Sequence, residues 1–189
     1  MRPLTTDADR AAAAALVEDR ARALAERGIT VPHHHVAAFR DACSEAAGLY
    51  EDTAEGEEIL LACLLLHRTP TPCPGEDTNG PSLGTSLLYT APGLMDRLGW
   101  LITLWISDFA ARAGATRVSA EVPSQHEGQD TGRRLLNHLS TIGWLVTGTG
   151  ISRNGERVTR LQLGAQDREG LAALIHCTVD TTMPEGASR

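Results

Sequence analysis

Hydrophobic positions along this chain change their period several times, and each change marks an element. From about Asp7 to Arg27, Ala, Leu and Val fall on one side and charges on the other, the pattern of an amphipathic helix. Thr5, Thr6 or Asp7 can cap its start, and Gly28 ends it. A second helix is expected after Val31-Pro32, where proline suits a first turn, and should run to near Gly48. Leu49-Tyr50-Glu51-Asp52 reads as a short strand and Thr53 to Glu57 as a turn. The unbroken apolar run Ile59 to Leu66 is short and bounded by breakers, which predicts a buried central strand, with a helix as the alternative.

Prolines and glycines make Thr69 to Ser82 a loop. A strand follows over Gly84–Thr90 and breaks at Ala91-Pro92-Gly93. Helical periodicity then runs from about Leu98 through Ala111 and stops at Gly114, ahead of a strand from Arg117 to Val122. Asp130 is the expected N-cap of a short helix from Thr131 to Thr141, closed by Gly143. Trp144 to Thr149 and Arg157 to Leu163 form a hairpin across Asn154-Gly155. Gln166 to Cys177 is expected to be a terminal helix, and Thr181 to Arg189 a frayed tail. With no internal repeat and no shift in composition, residues 1–165 read as one α/β domain and residues 166–189 as a C-terminal helix and tail.

Composition narrows the function classes. A chain of 189 residues, 42% hydrophobic and 22% charged, is a globular domain with a substantial core. A net charge of −7 disfavours a nucleic-acid binder, and no apolar run has membrane-spanning length. The first helix carries charges where a signal peptide would be apolar, so the expected compartment is the cytoplasm. Cys43, Cys63, Cys73 and Cys177 have no metal-ligand spacing and read as reduced, mostly buried thiols. An Ala, Arg and Gly bias suits a bacterial gene. No P-loop, G-x-S-x-G or H-E-x-x-H motif is present, which removes the NTPase, hydrolase and zincin readings.

What remains is a buried strand feeding a glycine-containing loop and a long helix, an arrangement able to hold a phosphate-bearing cofactor. The element order resembles that of the GNAT superfamily of N-acetyltransferases, in a divergent, actinobacterial-type form. Arg22-Ala23-Leu24-Ala25-Glu26-Arg27-Gly28-Ile29 resembles an early helix end in that family. Ala110-Ala111-Arg112-Ala113-Gly114-Ala115-Thr116-Arg117-Val118 resembles its helix-to-strand joint, and Ile142-Gly143-Trp144 stands where Leu-Gly-Phe is common. The resemblance spans roughly residues 10 to 163. It implies a mixed, mostly antiparallel central sheet with a splayed parallel strand pair, flanked by helices.

The same resemblance implies acetyl-CoA or another acyl-CoA as co-substrate and an amine of a small molecule or peptide as acceptor. Pantetheine would lie along Leu88, Tyr89 and Thr90. The pyrophosphate would meet the helix start around Leu98, Gly99, Trp100 and Leu101, with Arg97 adding a charge-assisted contact. The family loop is usually Q/R-x-x-G-x-G/A, and here it reads Asp96-Arg97-Leu98-Gly99-Trp100-Leu101. Leu139 occupies the position of a common tyrosine acid, which leaves His138 beside it as the candidate thiolate acid. Glu121, with Glu127 further on, is the candidate for binding or deprotonating the amine. These departures give the alternative of a catalytically degenerate GNAT-fold binding or regulatory protein, dimerising through its apolar strands or tryptophan helix.

Several residues have plainer readings. His33-His34-His35 is an exposed helix start better than a metal cluster, since neighbouring helical residues face apart. Tyr89 can point into a site or pack under the helix. Trp100 and Trp105 read as core or dimer anchors in a stripe with Leu98, Leu101, Ile102, Ile106 and Phe109. Asp108 and Arg112 read as a surface pair, and Cys63 as inert core.

Overall fold

The computed structural model describes residues 1–68, 80–93, 95–123, 130–152 and 155–183, apart from the side chains of 95–97, 130 and 131. Most of the loop expected at 69–82, together with Cys73, Glu127, Asn154 and the end of the tail, lies outside the described residues. The elements are β1 (Arg2–Pro3), α1 (Asp7–Ala25), α2 (His33–Arg40), β2 (Ala46–Asp52), β3 (Glu58–His67), β4 (Ser82–Thr90), α3 (Met95–Arg112), β5 (Arg117–Pro123), α4 (Asp130–Thr141), β6 (Leu145–Ile151) and β7 (Arg157–Gly164). The seven strands follow the order β1-β2-β3-β4-β5-β7-β6. The result is the expected mixed, mostly antiparallel sheet with helices. Among the described residues, no helix is long and apolar enough to cross a membrane.

The chain divides into two compact units, which strand β4 and helix α3 both pass between. The first comprises Met1–Leu66, Ser86–Ile102 and Gly170–Asp180. Its helix α1 starts with a reciprocal cap: Thr6 Oγ1 accepts from the Asp9 N–H at 3.0 Å, and the Asp9 carboxylate accepts from the Thr6 N–H at 3.2 Å. Leu4, Ala13, Val17, Phe39 and Cys63 form its core, with Leu87 and Tyr89 packed against them. Ile59–Leu66 is a strand, settling the alternative in favour of β3, whose central residues are buried.

Helix α2 ends at Arg40, well short of Gly48. The buried guanidinium of Arg10 explains the early stop. It donates to the backbone carbonyls of Phe39, Asp41, Ala42 and Ser44 at 3.4, 2.6, 3.4 and 3.0 Å. A desolvated cation needs several acceptors, and an unwound segment supplies carbonyls that a helix would have used itself. The chain is then extended by Ala46, where β2 pairs with β1 (Arg2↔Gly48) and β3 (Ala46↔Leu65). Strand β1 has two residues, too few for any periodicity to reveal.

The second unit comprises His67–Thr85, Thr103–Glu169 and Thr181–Arg189. Trp105 and Phe109 on α3 are buried and stacked, with centroids 5.1 Å apart. Trp144 is buried and donates from Nε1 to Thr103 Oγ1 at 3.2 Å. Strands β5 and β7 pair over their full lengths, from Arg117↔Gly164 to Pro123↔Val158, and β6 pairs with β7 in the expected hairpin. Alternation separates the two faces. Val118, Leu161 and Leu163 are buried, whereas Ser119, Glu121, Arg160 and Gln162 occupy the other side.

Two expectations need correction here. Gln166–Cys177 is not a helix; only a single 3-10 turn forms, over Leu171–Ala173. The Gln166 N–H donates to the Ser107 carbonyl at 3.1 Å and the Arg168 N–H to Asp108 Oδ1 at 2.9 Å, so these amides bond to α3 and not along their own segment. Gly170, at φ 86°, then turns the chain. The helix-like spacing of Leu171, Ile175 and Val179, all buried, comes from an irregular segment. Asp108 is likewise no surface residue: it is 4% exposed and also receives Arg112 Nη2 at 2.6 Å.

Phe39 is fully buried at the centre of the first unit. Replacing it with Ala should cost about 3–5 kcal/mol of stability, by lost transfer energy and an unfilled cavity. Denaturant unfolding of Phe39→Ala checks this, and a loss below about 1 kcal/mol would show that the core closes around the gap.

Candidate functional site

Strand β4 makes the one parallel ladder among the described strand pairs. Ser82, Leu83, Gly84 and Thr85 pair with Arg117, Val118, Ser119 and Ala120, and the ladder stops at Thr85↔Ala120. The strand continues to Thr90, but Leu87 adopts φ 51°, a left-handed conformation that strains a residue bearing a Cβ. Leu87 and Tyr89 pack into the core of the first unit, while Leu88 between them is 43% exposed. Thr90 is buried, and the Ala91 N–H donates to the Leu61 carbonyl at 2.8 Å. Of the backbone predicted to lie beside pantetheine, only Leu88 thus offers its side chain to solvent.

Tyr89 resolves toward the core. Its hydroxyl meets Nδ1 of buried His35 at 2.5 Å, and its ring lies edge-on to Phe39 with centroids 6.4 Å apart. Burial pushes the Tyr89 phenol well above the ordinary tyrosine range, and Cys63 adds to the effect. His33 and His34 are exposed as expected, but His35 is not, and no metal-binding group of His, Cys, Asp or Glu occurs among the described residues. Burial also raises the Cys63 thiol, consistent with an inert core residue. Cys43 is exposed and Cys177 half-buried.

Helix α3 begins at Met95, three residues ahead of the start that its apolar stripe predicts. The N–H groups without intrahelical acceptors therefore belong to the first turn, residues 95–97, while Gly99, Trp100 and Leu101 lie inside the helix. Leu98 is buried, Gly99 and Leu101 are half-buried, and Trp100 is 49% exposed, so Trp100 leaves the buried stripe that holds Trp105. The side chain of Arg97 lies outside the described residues.

In the second unit, Glu121 is exposed near the end of β5 and pairs in register with Arg160 of β7. Arg160 Nε stands 3.6 Å from Glu121 Oε1, an ion pair too long to be a hydrogen bond. His138 lies on α4, half-buried, and its Nε2 is shielded from solvent without a hydrogen-bond partner among the described residues. Arg160 escapes sequence reasoning because it stands in no motif; only the strand register reveals its place beside Glu121. Arg10 and His35 escape for the same reason, since tertiary contacts alone define their roles.

No family model matches the sequence, and no curated protein matches it. Solved structures do match. A candidate phosphinothricin N-acetyltransferase superposes with a TM-score of 0.53 at 14% identity, over 86% of this chain and 96% of its own. A candidate N-acetyltransferase from Lactobacillus plantarum gives 0.51 at 19%, over 87% and 96%. A point mutant of spermidine N-acetyltransferase from Vibrio cholerae gives 0.50 at 11%, over 87% and 94%. The chain therefore has the GNAT fold, and its parallel ladder ends at Thr85↔Ala120.

The chain has only two tyrosines, and both phenols are raised, Tyr50 to about 12 and Tyr89 further still, chiefly by burial. Each folded-state value lies above the unfolded value near 10, so the folded state keeps protons that the unfolded state loses. The associated stability should be complete below pH 10 and decline as pH rises through the Tyr50 value of about 12. Absorbance titration at the phenolate band should show no ionisation near pH 10 until denaturant is added. A folded-state phenolate transition at that pH would contradict the burial of both rings.

Proposed function

We propose that this protein is an acyl-CoA-dependent N-acyltransferase that moves an acetyl or other acyl group to an amine of a small molecule or peptide. The observation that carries the reading is the order of events along β4 and α3. A parallel ladder ends at Thr85↔Ala120, the strand runs on through Leu88, Tyr89 and Thr90, and a long helix opens at Met95. The backbone of Leu88–Thr90 suits the amides of pantetheine. The free N–H groups of the first helical turn suit a pyrophosphate, with Arg97 contributing charge. Leu98, Gly99, Trp100 and Leu101 follow directly, with Trp100 exposed.

Acyl-CoA supplies an activated thioester carbonyl. The protein must present a neutral amine to it, so that a C–N bond forms as the C–S bond breaks. Glu121 is the residue for taking the proton from the incoming ammonium, and His138 Nε2 for giving a proton to the departing thiolate. The protein's fold likeness to N-acetyltransferases supports the acyltransferase reading.

Calorimetric titration with acetyl-CoA tests the reading. Binding is expected, and Gly99→Glu should abolish it by placing a carboxylate beside the pyrophosphate. Absence of binding at millimolar ligand would favour a non-catalytic module, and unchanged affinity in Gly99→Glu would move the cofactor elsewhere. His138→Ala should slow acyl transfer while leaving acetyl-CoA affinity intact; an unaltered rate would remove His138 from the chemistry.

A further inference from the structure

Arg160 projects from β7 across the polar face of the second unit and lies over β6. A Cβ built on Gly150 would stand 2.6 Å from the Arg160 Cζ and Nη2 atoms, so only glycine leaves room for the guanidinium in this position. The side chain is 17% exposed. Nevertheless, it makes no hydrogen bond among the described residues. Its Nε is buried without a hydrogen-bond partner, and among the described residues it forms an ion pair with Glu121 at 3.6 Å. A guanidinium has five donors in a planar fork; here Nε is buried without a hydrogen bond, while the two Nη groups are not buried and remain open to a ligand arriving from solvent. Glu121 is more exposed and sits directly across the strand pair, so the face presents one cation and one anion side by side.

We infer that Arg160 and Glu121 together read an acceptor that carries a carboxylate next to its amine, as an α-amino acid does. The carboxylate takes the fork of Arg160, and the ammonium meets Glu121. The short separation of the two side chains matches the one-carbon separation of the two ligand charges. Gly150 is then a positioning residue, since its missing side chain leaves the space that the guanidinium occupies. A cationic polyamine fits less well, because Arg160 repels it. The inference rests on the acyltransferase reading, which supplies the reason for an amine to be bound here.

The test is thiol release from acetyl-CoA by the full chain, using L-amino acids paired with the amines left when their carboxylate is removed. The amino acids should be preferred by about tenfold or more in kcat/KM, as a site built to pair a charged group rejects an analogue lacking it. Arg160→Gln should erase that preference by raising KM for the amino acids, with acetyl-CoA affinity unchanged. Gly150→Ala, which displaces the guanidinium without removing it, should give a smaller loss in the same direction. Arg160→Lys keeps the charge and should retain part of the preference, separating recognition from folding.

Equal use of both partners in each pair would overturn the inference, as would a preference that survives Arg160→Gln. Weaker acetyl-CoA binding in Arg160→Gln would also overturn it, because the anion would then belong to the cofactor. Intact acetyl-CoA binding with no transfer to any amino acid sinks this inference alone. Failure of the wild-type chain to bind acetyl-CoA sinks the acyltransferase reading and this inference with it.

Discussion

Strand β4 can keep its parallel partner for only four residues, and the arrangement of the site follows from that limit. Beyond Thr85↔Ala120, Leu87 turns left-handed at φ 51°, a conformation that costs on the order of 1–3 kcal/mol in a non-glycine residue. The surrounding packing must hold it. Leu87 and Tyr89 are both anchored in the core with Phe39 and Cys63, and the Ala91 N–H is fixed to Leu61. The strain and its anchors place Leu88 outward at the point where the strand leaves its parallel ladder.

The same segment ties chemistry to stability. Tyr89 packs against the core of the first unit and hydrogen-bonds His35, and its phenol is held neutral. In the second unit, polar residues alternate with the buried leucines of β7. One half of β4 is paired with β5, and the other half belongs to the hydrophobic core beneath α1 and α2.

Buried polar groups do much of the shaping elsewhere. Arg10 unwinds the chain after Arg40 by collecting four carbonyls, and Asp108 with Ser107 draws the segment after β7 onto α3. Ser107 Oγ adds a bond to the Gly164 carbonyl at 2.7 Å. Both contacts convert stretches with helical periodicity into irregular chain. A buried donor or acceptor left unpaired is expensive, so satisfying it outweighs the small propensity differences that favour a helix.

Most of the fold was legible in the order of its elements. The alanine-rich α1, the apolar run of β3, the stripe of α3 and the Asn154-Gly155 hairpin are local signals, because period and turn chemistry act between near neighbours. The family resemblance rested on the same order, and it located the β4–α3 segment where the cofactor is proposed. Only the tertiary structure decided the rest: that α2 stops at Arg40, that Asp108 and His35 are buried, that Tyr89 packs against the core, and that Arg160 stands over Gly150 beside Glu121. Each depends on contacts between residues far apart in the chain, often with a charge or hydroxyl needing a partner. Periodicity records which side of an element is apolar, but it carries no information about which distant group will meet it.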